Sequence, residues 1–155
     1  MSDLSETDTE LLRMLQQDCR RPITEIAKEL GIPATTAYDK VKRMEERGII
    51  NGYVAMLDEG KLGFPTTALI LVSIGYPSGS DFSQEAVAEK LAGFSEITEV
   101  YIIAGDWDLM LKVKSKSIEN VGELVTKKIR NIEGISKTKT IAVFRKVKET
   151  PVLPI

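Results

Sequence analysis

The hydrophobic repeat of this chain changes period near residue 60, and one layer of one kind of element cannot satisfy both halves. Up to Gly48 the apolar residues recur at helical spacing. Ser5 reads as a helix N-cap, with Asp8 as its acidic partner three positions on, followed by an inner stripe of Leu11, Leu12 and Leu15 to about Asp18. Pro22 opens a second helix with Ile23, Ile26, Ala27 and Leu30 at i, i+3, i+4 and i+7, closed by Gly31. Only Gly31 and Ile32 separate it from Pro33, which starts a third helix with Ala37, Val41 and Met44 inward and Gly48 at its end. Three short helices with a tight glycine turn between the second and third are the outline of a helix-turn-helix, although a general three-helix bundle has the same spacing.

Residues 49–56 are too β-branched and too short for a helix and read as a hinge strand or extended linker, with Asp58 to Pro65 as a boundary loop. Beyond it, Thr66 to Ile74 is a β-prone run closed by turn chemistry over Gly75 to Ser80. Asp81 to Phe94 returns to helical spacing, with Phe82, Ala86, Val87, Leu91 and Phe94 inward. Strands follow at Ile97 to Ala104 and Trp107 to Lys114, joined at Gly105-Asp106. Ser117 caps a last helix with Ile118, Val121, Val125, Ile129 and Ile132 inward, and Ile135 to Val147 is a long final strand. This order is the ferredoxin-like βαββαβ arrangement, in which helices cover one face of the sheet. Leu, Ile and Val are dense on both parities of the strands, so the uncovered face is expected to pack on another subunit. The fold class is thus α+β, with residues 1–50 as a three-helix winged-helix/helix-turn-helix domain, 51–65 as hinge strand and linker, and 66–155 as a sensing and oligomerisation domain.

The charge balance bears on the first domain. Residues 1–60 hold eight Lys/Arg against twelve Asp/Glu, a net of −4, and residues 61–155 hold thirteen against eleven, a net of +2. A negative module cannot rely on bulk attraction to phosphate, so any DNA contact rests on local placement of charge. The chain has no histidine, which removes Ser-His and Cys-His nucleophilic pairs and histidine metal sites. No catalytic residue, metal or cofactor is expected, and the reading is that the chain is not an enzyme. Cys19 stands alone beside Asp18, Arg20 and Arg21 and reads as a small residue at a helix end. No apolar run approaches the roughly 20 residues that span a bilayer, and the start MSDLSETDTE is acidic and polar, unlike a secretory signal. A cytoplasmic protein without membrane contact is expected.

The segments Leu4 to Gln16, Ile23 to Ile32, V-K-R-M-E-E-R-G-I-I-N-G-Y (Val41 to Tyr53) and A-G-D-W-D (Ala104 to Asp108) together resemble the Lrp/AsnC family of transcription regulators over nearly the whole chain. The resemblance implies an N-terminal helix-turn-helix, a hinge strand and a βαββαβ domain that dimerises through its sheet and assembles further. It also implies amino acids bound at subunit interfaces that alter assembly or DNA affinity. The family often has arginine where Lys40 stands, and commonly Ser-x-Ser/Thr-Val where this chain has Ala34-Thr35-Thr36-Ala37.

With Ala37, Val41 and Met44 buried, helical geometry turns Thr35, Thr36, Asp39, Lys40, Lys42 and Arg43 outward. With Tyr38 they form the expected DNA-binding set, hydroxyls near the helix start meeting base edges or phosphates and cations further along neutralising phosphate. Arg20 and Arg21 are either backbone contacts or plain loop charges. In the second domain Gly105-Asp106-Trp107-Asp108 reads as a hairpin turn on its own. The resemblance makes it the lining of the effector site, with Gly105, Asp106 and Asp108 toward the amino acid. Thr138 and Thr140, on one face of the last strand, would come from a neighbouring subunit, and Tyr76 is a further candidate. Lys112, Lys114, Lys116, Lys137 and Lys139 read as a solvated or edge face. The partners expected are double-stranded DNA, a small amino acid, and further copies of the chain as a dimer, then a tetramer or octamer. Two other readings stand beside this one. One is the amino-acid-sensing regulatory subunit of a metabolic enzyme, and the other an architectural protein that coats DNA with little specificity.

Overall fold

The computed structural model describes residues 4–75 and 83–155. Contacts divide the chain into two units, Met1–Met56 with Glu149–Ile155, and Leu57–Lys148.

The first unit holds α1 (Glu6–Gln17), α2 (Ile23–Glu29) and α3 (Ala34–Glu46). Each buries the stripe that its spacing predicts: Leu11 and Leu15, then Ile26 and Ala27, then Ala37, Val41 and Met44. α1 begins with a complete capping box. Ser5 Oγ accepts from the Asp8 N–H at 3.2 Å while Asp8 Oδ2 accepts from the Ser5 N–H at 2.9 Å. Pro22 and Pro33 stand immediately before α2 and α3, where a residue without an N–H forfeits nothing. Between those helices Gly31 takes φ 66°, a left-handed conformation that side chains resist, and the Ile32 N–H then reaches back to the Ala27 carbonyl at 3.0 Å. Residues 149–155 lie against α1. Leu153 N–H donates to Gln16 Oε1 at 2.7 Å, Gln16 Nε2 donates to the Leu153 carbonyl at 3.2 Å, and Arg13 Nε donates to the Ile155 carbonyl at 2.5 Å.

The second unit is a sheet of β1 (Thr66–Ile74), β2 (Ile97–Ile102), β3 (Leu109–Ser115) and β4 (Ile135–Ala142) in the order β2-β3-β1-β4. All its neighbours are antiparallel. Helices α4 (Gln84–Ala92) and α5 (Ile118–Glu123) cover one face, where Ile70, Val72, Leu109, Leu111 and Val113 meet Val87, Leu91, Val121 and Ile129 in one core. α5 runs on through a wide π turn (Leu124–Lys128) and a 3-10 turn (Ile129–Asn131), and the wide turn brings Leu124 and Val125 inward together. The other face carries Leu69, Leu71 and Met110 half-buried beside Tyr101 and Ile141, with Glu99–Lys112 as an ion pair of 2.9 Å among them.

Several boundaries differ from the sequence reading. Residues 51–57 form no strand, because a ladder needs a neighbour and the described part of this chain offers none; Val54, Met56 and Leu57 are exposed. β4 ends at Ala142 rather than Val147. Its partner β1 begins at Thr66, and past the Val143 N–H to Thr67 carbonyl bond there is no backbone left to pair with. Ile118, first in α5, and Ala86 are exposed rather than inward, since each stands at the mouth of its helix beyond the edge of the core. Phe82 lies outside the described residues.

The Gly31 turn gives a direct test. A Cβ there would meet nothing within 4 Å, so only backbone strain opposes a side chain. Gly31→Ala is expected to lower unfolding stability by about 1 kcal/mol, and Gly31→Asn by less, because asparagine tolerates the left-handed region; paired urea titrations measure both.

Candidate nucleic-acid interface and effector loop

In the first unit α3 presents three rows to its surroundings. Opposite the buried Ala37, Val41 and Met44 stand Thr35, Asp39, Lys42 and Glu46, all exposed. One flank carries Tyr38 and Glu45. Tyr38 is 54% exposed, and Glu45 Oε1 accepts from the Tyr53 hydroxyl at 2.8 Å, which ties the start of the hinge to the end of α3. Burial and that carboxylate together push the Tyr53 phenol up to about 12. The other flank is the row Thr36, Lys40, Arg43 and Arg47. Lys42 and Glu46 approach to 3.9 Å, but both are solvated and the pair contributes little.

Lys40 is placed differently from its neighbours. Its ammonium lies 2.7 Å from Asp8 Oδ1 and 3.2 Å from Ser5 Oγ, and its side chain is only 16% exposed. The carboxylate that caps α1 therefore also fastens α3. Burial would raise the Asp8 carboxyl, but hydrogen bonds from Lys40 and Ser5 outweigh it and hold it at about 2, against an ordinary 3.8. As a phosphate contact Lys40 is at a disadvantage, because its charge is already answered. Arg20 is exposed, whereas Arg21 is taken up by Glu29.

Sequence reasoning missed two residues at this site. Asp8 was legible only as a capping partner, since nothing along the chain says which distant cation will find it. Arg47 stands just before the Gly48 that ends the helix, and its spacing of four from Arg43 and seven from Lys40 puts it on their row. A cleft of about 280 Å³ opens on this flank, lined by Ser5, Asp8, Lys40, Arg43, Met44 and Arg47 among others.

In the second unit, the loop between β2 and β3 is pinned at Asp108. Its Oδ2 accepts from the Ile74 N–H at 2.7 Å, its N–H donates to the Val72 carbonyl at 3.0 Å, and its carbonyl accepts from Gln84 Nε2 at 3.1 Å. Asp108 thus closes the end of β1 rather than extending a free carboxylate. Gly105, at φ 123°, and Asp106 are exposed, and the Trp107 ring takes the Lys137 ammonium at 5.1 Å.

Thr138 and Thr140 do share a face, in register with Val72 and Ile70. β1 lies between β4 and β3 in the sheet, but the Trp107–Lys137 contact already carries the loop to the start of β4 within one chain. Tyr76 lies outside the described residues. Lys112 pairs with Glu99, and Lys114 with Glu59 at 2.7 Å. Among the described residues no group of three His, Cys, Asp or Glu side chains is arranged to hold a metal, and no described helix is long and apolar enough to cross a membrane.

Comparison with known proteins gives two family matches. Residues 67–153 match the Lrp/AsnC ligand binding domain, and residues 4–51 match a winged helix-turn-helix DNA-binding domain. An uncharacterized HTH-type transcriptional regulator of Pyrococcus abyssi is 41% identical over 146 residues, covering 94% of this chain and 96% of that protein. Among solved structures, an AsnC family transcriptional regulator from Agrobacterium tumefaciens superposes with a TM-score of 0.89 at 27% identity, covering 97% of each chain. A transcriptional regulator of Neisseria meningitidis in complex with L-Met superposes with a TM-score of 0.88 at 22% identity, covering 97% of this chain and 96% of that one, which speaks to the fold alone.

The Asp8 carboxylate has a measurable pH signature. Its folded pKa is depressed, so its stabilisation is complete above the unfolded value near 3.8 and disappears as pH falls toward about 2. Asp8→Ala is expected to cost about 2–3 kcal/mol at pH 7. The difference between wild type and variant should shrink between pH 4 and 2, as followed by circular dichroism; parallel curves across that range contradict the assignment.

Proposed function

The chain belongs to the Lrp/AsnC family of DNA-binding transcription regulators, and from that premise we propose that a small amino acid, bound between subunits of the second unit, sets its grip on DNA or its state of assembly. The chain works without catalysis, in the cytoplasm, as a homodimer that assembles into tetramers or octamers. The dimer forms on the open face of the sheet, where Leu69, Leu71, Met110, Tyr101 and Ile141 would otherwise face water. Two α3 helices then enter successive major grooves, with half-sites one helical turn or a multiple apart. Thr35, Asp39 and Lys42 face the base edges, Thr36 and Arg43 face the phosphates, and Tyr38 stands at the border of the groove.

The observation that carries the effector half is the loop itself, where Gly105 and Asp106 are exposed and the Trp107 ring meets Lys137 of β4. Thr138 and Thr140 of a second copy would complete the pocket. Asp108, already spent on the Ile74 N–H, shapes the loop, which leaves the exposed Asp106 carboxylate and the Gly105 backbone for an ammonium or carboxylate group. A ligand that binds one assembly better than another shifts the balance between them, and DNA affinity follows by linkage.

Two measurements test this reading. In a thermal-shift screen of the twenty amino acids, at least one is expected to raise Tm by several degrees when present at about 100 times its Kd. Asp106→Ala should abolish that rise and leave the ligand-free Tm in place. If no amino acid moves Tm or the elution volume in sizing chromatography, the effector proposal fails. Footprinting on duplexes selected by the protein should show spaced half-sites, and Lys42→Ala with Arg43→Ala should remove them while sizing is unchanged. Even, unspaced protection would indicate architectural coating instead.

A further inference from the structure

We propose that the cleft between the start of α1 and the flank of α3, lined by Lys40, Arg43 and Arg47, seats one phosphodiester of the DNA backbone, with Arg47 as a direct contact. This rests on the DNA-reading role of α3 and deepens it by assigning one flank of that helix to one strand.

The argument begins with charge. Residues 1–60 carry a net of −4, so a polyanion can approach only where the positive charges are gathered and the negative ones are turned aside. Around α3 the residues sort by row. Asp39 and Glu46 stand at the front with Lys42, and Glu45 stands on the Tyr38 flank. The cleft flank carries Lys40, Arg43 and Arg47, and among the described residues the one acid that lines it is Asp8. Among those lining residues, three cations stand against one carboxylate.

Both oxygens of that carboxylate are already hydrogen-bonded. Asp8 Oδ1 takes Lys40, and Oδ2 takes both the Ser5 N–H and the Ser5 hydroxyl, at 2.9 and 2.7 Å. The two guanidinium groups form the open wall. Both arginines are exposed, and neither has an ion pair among the described residues. The volume of about 280 Å³ is several times the ~30 Å³ that one water claims in the liquid, enough for a phosphate group and its waters. The guanidinium fork suits phosphate oxygens bidentately, which an ammonium does not.

The competing role for Arg47 is simpler. It is the C-cap residue of α3, and a cation at a helix C-terminus is favoured by the helix dipole. The two roles separate on salt dependence. A contact to phosphate releases counterions, whereas a cation that only complements a helix end alters melting.

Full-length wild type, Arg47→Ala and Arg47→Lys would be titrated onto a mixed-sequence duplex of roughly 30 base pairs at salt between about 50 and 200 mM. For Arg47→Ala, the slope of log K against log salt should fall in magnitude by about 0.9 for each protomer on the duplex. Affinity should drop several-fold on every duplex sequence alike, with Tm unchanged. Arg47→Lys, which keeps the charge, should return the slope. If wild type and Arg47→Ala bind with the same slope, the phosphate seat is refuted. Failure of wild type to bind the duplex even at the lowest salt would instead overturn the DNA reading on which it rests.

Discussion

The placement of α3 turns on one nearly buried carboxylate. Asp8 ends the capping box that starts α1 and also receives the ammonium of Lys40 from the middle of α3. A charge pair taken out of water must be well satisfied to be worth forming. This one is, since both oxygens of Asp8 are occupied and Ser5 shares the Lys40 ammonium. The apolar stripes bring the three helices together, but a hydrophobic contact is tolerant of small rotations. The Asp8–Lys40 pair is directional. It sets which side of α3 faces α1, and so fixes which rows remain for a partner. The same bond removes Lys40 from the set of free cations, so α3 gains orientation and gives up a charge.

The second unit meets the opposite problem. Its sheet has one face sealed by helices and one, with Leu69, Leu71 and Met110 half-buried, that no described helix covers. Lys112 and Lys114 cross that open side, yet they are paired with Glu99 and Glu59. Lys112 holds the Glu99 carboxyl below its usual range against the opposing effect of burial. Paired charges within an apolar surface cost less to desolvate than isolated ones.

Most of the architecture was legible because it depends on period. The inner stripes of α1, α2 and α3, the alternation along β1 and β3, and the Ser5 and Ser117 caps are all local signals. What was not legible depends on partners. The hinge at 51–57 has the composition of a strand but no strand beside it, and β4 stops where β1 stops rather than where its own β-propensity ends. The candidate sites divide in the same way. Thr35, Asp39, Lys42 and Arg43 follow from counting along a helix. The binding of Lys40 by Asp8, 32 positions away, and of the Ile74 N–H by Asp108 depends on tertiary geometry that no spacing encodes.

The tail laid along α1 has a consequence for how the chain is made. Residues 149–155 belong with the first unit, while the whole second unit lies between them and residue 56 in the sequence. A ribosome therefore releases the three helices before the sheet, and the segment that lies against α1 only after it. Closing a loop of that length costs only slowly more than closing a short one, so the tail need not be bound tightly to find Gln16. Its arrival must nonetheless wait for synthesis of the sheet between, and domains generally fold in the order in which they emerge. The unit that carries α3 thus gains residues 149–155 only after the whole sheet between them has been made.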